Sequence, residues 1–275
     1  MDTSFGTAQL VSDRTRPSLT TLYLDGVPSS AIDAADPSYL EFEYMQHMRL
    51  LIDALFPPPA PLRALHLGAA ACALPNALEA DRPNSRQLAV EADKILAARV
   101  RDWFDLPRSP RLRIRVGDGR RVLDSQAGRG WQIIVRDAFI AGHVPVHLQT
   151  LEAAASARAA LADDGAYIVN AGANVKEELA ALLLTFKHVV ALGDPAVYSG
   201  KRLGNITIGA SQRPWPNVER EVRKLPLPVR VFSGLVPSAA PFHDARGAAD
   251  QSPREPGEPG SPPAPSAPSS ASADA

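Results

Sequence analysis

Ala64-Leu65-His66-Leu67-Gly68-Ala69-Ala70-Ala71-Cys72-Ala73, answered further on by Gln87-Leu88-Ala89-Val90-Glu91-Ala92, decides the fold of this chain. Ala64–Gly68 is almost wholly apolar and too short for a helix, so it reads as a strand buried on both faces. Leu74–Ala80 has helical spacing, and Gln87–Ala92 is a second strand. Two buried strands joined through one helix imply parallel neighbours linked by a right-handed crossover.

The same alternation continues downstream. Lys94–Phe104 reads as a helix and Leu112–Val116 as a strand, in which Arg111, Arg113 and Arg115 alternate with Leu112, Ile114 and Val116. One polar face places that strand at or near a sheet edge, with its arginines solvated. Gln132–Val135 is another buried strand, Leu148–Leu161 a helix, and Ala166–Asn170 a strand after the turn at Asp164-Gly165. Glu177–Phe186 is helical, and Val189–Leu192 and Asn205–Ile208 are the last strands. No helix separates those two, so the final strand is expected to be antiparallel. The fold class is therefore α/β, a doubly wound, mostly parallel seven-stranded Rossmann-like sheet similar to the methyltransferase variant.

Upstream, residues 1–18 are polar and unpatterned, and are expected to be a flexible N-terminus. Residues 19–60 read as a short β-hairpin and a helix. Thr20–Leu24 is a strand stopped by the turn Asp25-Gly26, and Asp36-Pro37 is a helix start. Leu40, Tyr44, Met48, Leu51 and Leu55 recur at helical spacing until Pro57-Pro58-Pro59. Residues 61–212 are the nucleotide-binding domain, and 213–236 a weakly patterned C-terminal extension. Pro237–Ala275, rich in proline, serine, alanine and glycine, is expected to be a disordered tail.

Composition narrows the function classes. The chain has 275 residues, 45% of them hydrophobic, enough for one substantial core. A formal net charge of -1 gives no positive field to attract nucleic acid or acidic membrane. Cys72, the one cysteine, excludes an internal disulfide framework and a cysteine-based zinc site. The first thirty residues lack the pattern of a secretory signal, and apolar runs such as Leu179–Phe186 fall short of the ~20 residues a membrane helix needs. A soluble cytoplasmic protein is expected.

Ligands of an open parallel sheet bind beyond the carboxyl ends of its strands, so those ends carry the candidate chemistry. After the first comes Gly68 and a run of small residues that lets a backbone approach a ligand. After the second comes Glu91, about twenty residues beyond the turn, where a carboxylate can accept both hydroxyls of a ribose. A solvated strand end, with Asp93 capping the next helix, is the alternative there. Gly117-Asp118-Gly119 follows the third strand, as an adenine-amine acceptor or as an ordinary turn. Asp137 closes the fourth strand toward the shared cleft and is a candidate general base. Tyr198 is either a residue orienting an amine or a simple loop tyrosine. His143 and His147 are separated by Pro145 and have no third ligand, so no metal is expected. His66 reads as a hydrogen-bonded core residue and Trp131 as packing.

Leu24-Asp25-Gly26-Val27, the Asp36-Pro37 to Met48 segment, Gly68, Glu91, Gly117-Asp118-Gly119, Asp137 and Tyr198-Ser199-Gly200 occur in the order seen in spermidine synthases. Over Leu22 to Ala210 the chain resembles the spermidine synthase-like family, and is most similar to its actinobacterial members. The resemblance implies adenosyl binding by Gly68, Glu91, Asp118 and Gly119, with Glu91 on ribose and Asp118 on adenine. It implies Asp137 and Tyr198 as catalytic residues, with Asp137 helping to deprotonate an attacking amine. The implied cosubstrate is decarboxylated S-adenosylmethionine or S-adenosylmethionine itself, without a metal. The implied partner is a small-molecule amine, and the family oligomer would be a homodimer.

The chain also departs from the family pattern. Ala71 stands where the glycine-rich loop carries an acidic residue, and Ser29 replaces a glutamine. Ala138-Phe139-Ile140-Ala141-Gly142 lacks the second aspartate of the polyamine site. Three functions therefore stand as expectations: aminopropyl transfer in polyamine biosynthesis, methyl transfer from S-adenosylmethionine, and non-catalytic adenosyl binding.

Overall fold

In the computed structural model, which describes residues 1–244, β4 (Arg63–Leu67) is buried at every position after Arg63. That burial puts it inside the large sheet, where it pairs in parallel with β5 (Arg86–Glu91) and with β7 (Trp131–Arg136). β6 (Leu112–Val116) lies beyond β5 at the sheet edge, with Arg113 and Arg115 exposed as their alternation predicts. On the other side β8 (Leu161–Ala171) runs parallel to β7. β10 (Ile206–Ser211) is antiparallel both to β8 and to β9 (His188–Gly193).

Helices cover both faces. On one lie α1 (Glu43–Leu55), α2 (Ala73–Asp81) and α3 (Lys94–Trp103), where Met48, Leu51, Ala77 and Leu96 pack with Ala64, Ile133 and Val135. On the other lie α4 (Gly119–Asp124), α5 (Leu151–Ala160) and α6 (Val175–Thr185), where Leu123, Ala157 and Leu182 pack with Leu65, Leu67 and Ile134. Successive strand residues feed opposite cores, as the two-residue period of a pleated strand requires.

Several expectations are corrected. Residues 1–18 are not loose throughout: β1 (Ala8–Ser12) pairs antiparallel with β2 (Leu19–Leu24), which pairs with β3 (Val27–Asp33). The hairpin is thus a three-stranded sheet. Only Ala8 of β1 is buried, so backbone pairing rather than an apolar face holds the strand, and no hydrophobic pattern announced it. α1 begins at Glu43 rather than at Asp36, because the Asp36 carboxylate accepts Ser38 N and Ser38 Oγ at 3.1 and 2.7 Å. That local turn competes with helix.

The expected Leu148–Leu161 helix is a short 3₁₀ turn, Val146–Leu148, followed by α5 with Thr150 as its cap. The large sheet has eight strands rather than seven, because β11 (Arg230–Phe232) adds to β9. The 213–236 extension therefore contributes to the sheet. Residues 242–244 are also bonded to the domain: Leu151 N donates to Phe242 O at 2.8 Å, and Arg120 holds Asp244. The rest of the expected tail, 245–275, lies outside the described residues. No described helix is long and apolar enough to cross a membrane.

Candidate active site

The strand order reverses between β4 and β7, since the chain proceeds outward to β5 and β6 on one side and to β8 on the other. The carboxyl ends of β4 and β7 therefore bound the crevice in which such sheets bind ligands. Gly68 sits there at φ +85°, and a Cβ on it would lie 2.7 Å from the Asp137 carbonyl carbon and 2.8 Å from Ala138 Cα. Only glycine lets the two strand ends approach this closely. Asp137 N donates to Leu67 O at 2.9 Å and extends the ladder to the site itself.

Two side chains hold the Asp137 carboxylate. Tyr44 Oη donates to Oδ2 and Asn170 Nδ2 to Oδ1, both at 3.0 Å. Tyr44 arrives on the first turn of α1, and Asn170 on the carboxyl-terminal part of β8. Burial raises the Asp137 pKa, outweighing the opposing pull of Asn170, Tyr44 and the Arg136 charge. Burial, reinforced by the adjacent Asp137 charge, lifts the Tyr44 phenol well above its ordinary value. Asn170 Oδ1 is buried and has no hydrogen-bond partner among the described residues. Behind it, the buried Arg136 donates to Asn170 O at 2.6 Å and pairs with Glu178 of α6.

Glu91 is held differently. Its Oε2 accepts Ala69 N and Ala70 N at 3.1 and 2.9 Å, and its Oε1 accepts Asp93 N at 3.0 Å. These bonds fix a loop in which Ala70 and Cys72 adopt φ of 44° and 60°, a region unfavourable to residues with a Cβ. Burial raises the Glu91 pKa against the three amide bonds. Burial, and secondarily the Glu91 charge, pushes the Cys72 thiol up to about 12, so it is inert near neutrality. Asp93 caps α3, accepting Ile95 N and Leu96 N at 2.9 Å each.

Asp118 caps α4 by accepting Arg121 N at 2.9 Å, and its Oδ2 lies 2.9 Å from His147 Nε2. Burial raises its pKa, but His147 and the backbone amides outweigh burial and hold it below the ordinary range. Gly119 opens α4, and a Cβ there would make ordinary contact with Leu67 Cβ at 3.5 Å, so glycine is not sterically required.

The structure thus brings Gly68 against Asp137, and Glu91 against the loop that follows Gly68. Tyr198 ends α7 (Pro195–Tyr198), which follows β9, and its ring stacks on Phe232 with centroids 4.0 Å apart; the two side-chain bonds to Asp137 come from Tyr44 and Asn170 instead. Three residues escaped the sequence reading: Tyr44 counted only as part of a helical stripe, Asn170 only as a strand end, and His147 only as a rejected metal ligand. No group of three metal-binding side chains occurs among the described residues. A cavity of about 630 Å³ opens between α1 and the 216–225 segment, and none of Gly68, Glu91, Asp118 and Asp137 lines it. Its charges pair among themselves or with neighbours, Arg49 with Asp81 and Lys224 with Glu221, each at 2.6 Å, so it is not the candidate site.

No family model matches the chain. A polyamine aminopropyltransferase of Vibrio vulnificus is 27% identical over 129 residues, which span 46% of this chain and 43% of that curated relative. The crystal structure of a probable spermidine synthase from Corynebacterium glutamicum matches with a TM-score of 0.83 at 30% identity, over 92% of this chain and 98% of that one. Spermidine synthase from Thermotoga maritima shares the fold, with a TM-score of 0.55 at 19% identity, over 82% of this chain and 77% of that one. Human methyltransferase-like protein 13 in complex with SAH shares it too, with a TM-score of 0.54 at 21% identity, over 67% and 94% of the two chains. The fold defines an α/β protein of the methyltransferase fold. Within that class, the chain belongs to the spermidine synthase family.

Proposed function

We propose that this chain transfers an aminopropyl group from decarboxylated S-adenosylmethionine to a small amine, with Asp137 as general base. The observation that carries the proposal is the setting of Asp137, a half-buried carboxyl of raised pKa held by Tyr44 and Asn170 where the strand order reverses. Family membership supports the reaction class.

A primary amine with a pKa near ~10.4 is mostly protonated at neutral pH and cannot attack until it loses a proton. Asp137 takes that proton, and a raised carboxyl pKa narrows the gap to the ammonium it must deprotonate. The nitrogen lone pair then forms a bond to the methylene carbon beside the sulfonium. The carbon–sulfur bond breaks with its electrons going to sulfur, and neutral methylthioadenosine leaves. Tyr44 and Asn170 keep the carboxylate oriented throughout, and the partnerless Asn170 Oδ1 is an acceptor for a further N–H of the amine.

On the donor side, Gly68 brings the β4 and β7 ends together beneath the adenosyl group, and Gly119 opens the helix beside it. Glu91 combines two roles, holding the Ala69-Ala70 loop and accepting ribose through the lone-pair capacity its three amides leave free. Asp118 accepts the adenine amine.

Methylthioadenosine release from decarboxylated S-adenosylmethionine plus an amine panel tests the proposal. Parallel calorimetric titrations with S-adenosylmethionine, its decarboxylated form and methylthioadenosine accompany that assay. Tightest binding of the decarboxylated form with amine-dependent release is the expected result. Preference for S-adenosylmethionine overturns it in favour of methyl transfer, and failure to bind any of the three leaves a non-catalytic homologue.

A further inference from the structure

We infer that His147 is a positioning residue for recognition of a 6-aminopurine by Asp118, and that Arg120 and Asp244 anchor it from the far end of the domain. The inference rests on the adenosyl-binding reading above. Asp118 Oδ1 accepts the Arg121 amide, and Oδ2, which faces His147, keeps a second lone pair for an exocyclic amine. His147 Nε2 lies 2.9 Å from that oxygen and fixes the plane of the carboxylate.

The imidazole is itself held through its own main chain. Arg120, 13% exposed, donates through Nη1 to His147 O at 2.9 Å, and grips Asp244 with Nη1 at 2.9 Å and Nη2 at 2.7 Å. Thr150 Oγ1 donates to Asp244 at 2.8 Å, and Asp244 N donates to Glu152 at 3.0 Å. A bidentate arginine–carboxylate pair has a fixed planar geometry, so it sets orientation as well as adding attraction. The segment that carries Asp244 is thereby tied to the turn that carries His147, 97 residues earlier in sequence.

A recognising hydrogen bond discriminates because a 6-oxo ligand sets an acceptor against the Asp118 carboxylate where a 6-amino ligand donates to it. Methylthioadenosine and methylthioinosine differ at that position, one presenting a 6-amino donor and the other a 6-oxo acceptor. Calorimetric titration of the full-length protein with both nucleosides reads the ratio of their affinities. The wild type is expected to prefer the 6-amino compound. His147→Ala is expected to lower that preference about tenfold, His147→Gln to restore part of it, and Asp244→Asn to lower it by a smaller factor.

Equal weakening of both nucleosides by His147→Ala, with their ratio unchanged, would mean a merely structural role and overturns the inference alone. Failure of the wild type to bind methylthioadenosine overturns the adenosyl reading, and this inference with it.

Discussion

Glu91 and Asp137 are two half-buried carboxylates at strand ends of one mostly parallel sheet, and they are held in opposite ways. Glu91 is tied by backbone amides of Ala69, Ala70 and Asp93, whereas Asp137 is tied by the side chains of Tyr44 and Asn170. Backbone amides fixed in a loop cannot leave without unfolding that loop. Side-chain donors can rotate, share or exchange partners as a substrate arrives. The contrast separates a carboxylate fixed by main chain from one whose partners can move, which is what the proposed base requires.

The strongest way to break that contrast is Asp137→Asn. Loss of a general base is expected to lower turnover about 10²–10⁴-fold. Folding stability should stay within about 1 kcal/mol, because a buried charge is removed along with its two hydrogen bonds. Methylthioadenosine release and urea unfolding measure the two effects, and unchanged turnover removes Asp137 as the base. Glu91→Ala should show the reverse emphasis. Three amides lose their acceptor, so stability should fall by roughly 2 kcal/mol and adenosyl affinity with it. An unaltered unfolding midpoint would show that Glu91 does not hold the loop.

Tyr44→Phe sharpens the comparison on a smaller scale. It keeps the ring and deletes one donor to Asp137, for an expected loss of about tenfold in kcat. It should also move the acid limb of the rate profile upward, since that hydrogen bond lowers the Asp137 pKa. An acid limb left in place would separate Tyr44 from the proton chemistry.

The smallest effect is in stability against pH. Asp137 and Glu91 both have folded pKa values raised above the unfolded ones. The native state therefore binds more protons than the unfolded state between those two values, and stability attributable to these groups falls as pH rises through the folded pKa. His66, buried with its Nε2 3.0 Å from Gln87 Oε1 and its pKa lowered to about 4 by burial, acts in the opposite sense. Its contribution is lost as pH falls from about 6.5 toward 4. Urea unfolding of His66→Gln and Asp137→Asn across that range should therefore change the pH slope in opposite directions.

Much of this was legible in the sequence, for a definite reason. β4, β5 and β7 are buried on both faces, so their apolar runs and terminal small or acidic residues stand out. Gly68, Glu91, Asp118 and Asp137 followed from strand ends alone. β1 and β11 stayed hidden because edge strands draw on backbone pairing and need little apolar pattern. α1 was placed several residues early because Asp36 makes its own local turn around Ser38. Motif order singles out Tyr198, but not its stacking on Phe232, a contact made across the fold.

By itself, then, the sequence determined an alternating strand–helix chain, a crevice at the ends of its central strands and the carboxylates along it, because period and burial are local properties. Which groups touch those carboxylates was decided only in three dimensions. Tyr44 reaches Asp137 across 93 residues, Asn170 across 33, and His147 reaches Asp118 across 29. Hydrogen bonds act over about 3 Å of space and carry no trace of sequence distance, so only the packed sheet and its helices could choose those partners.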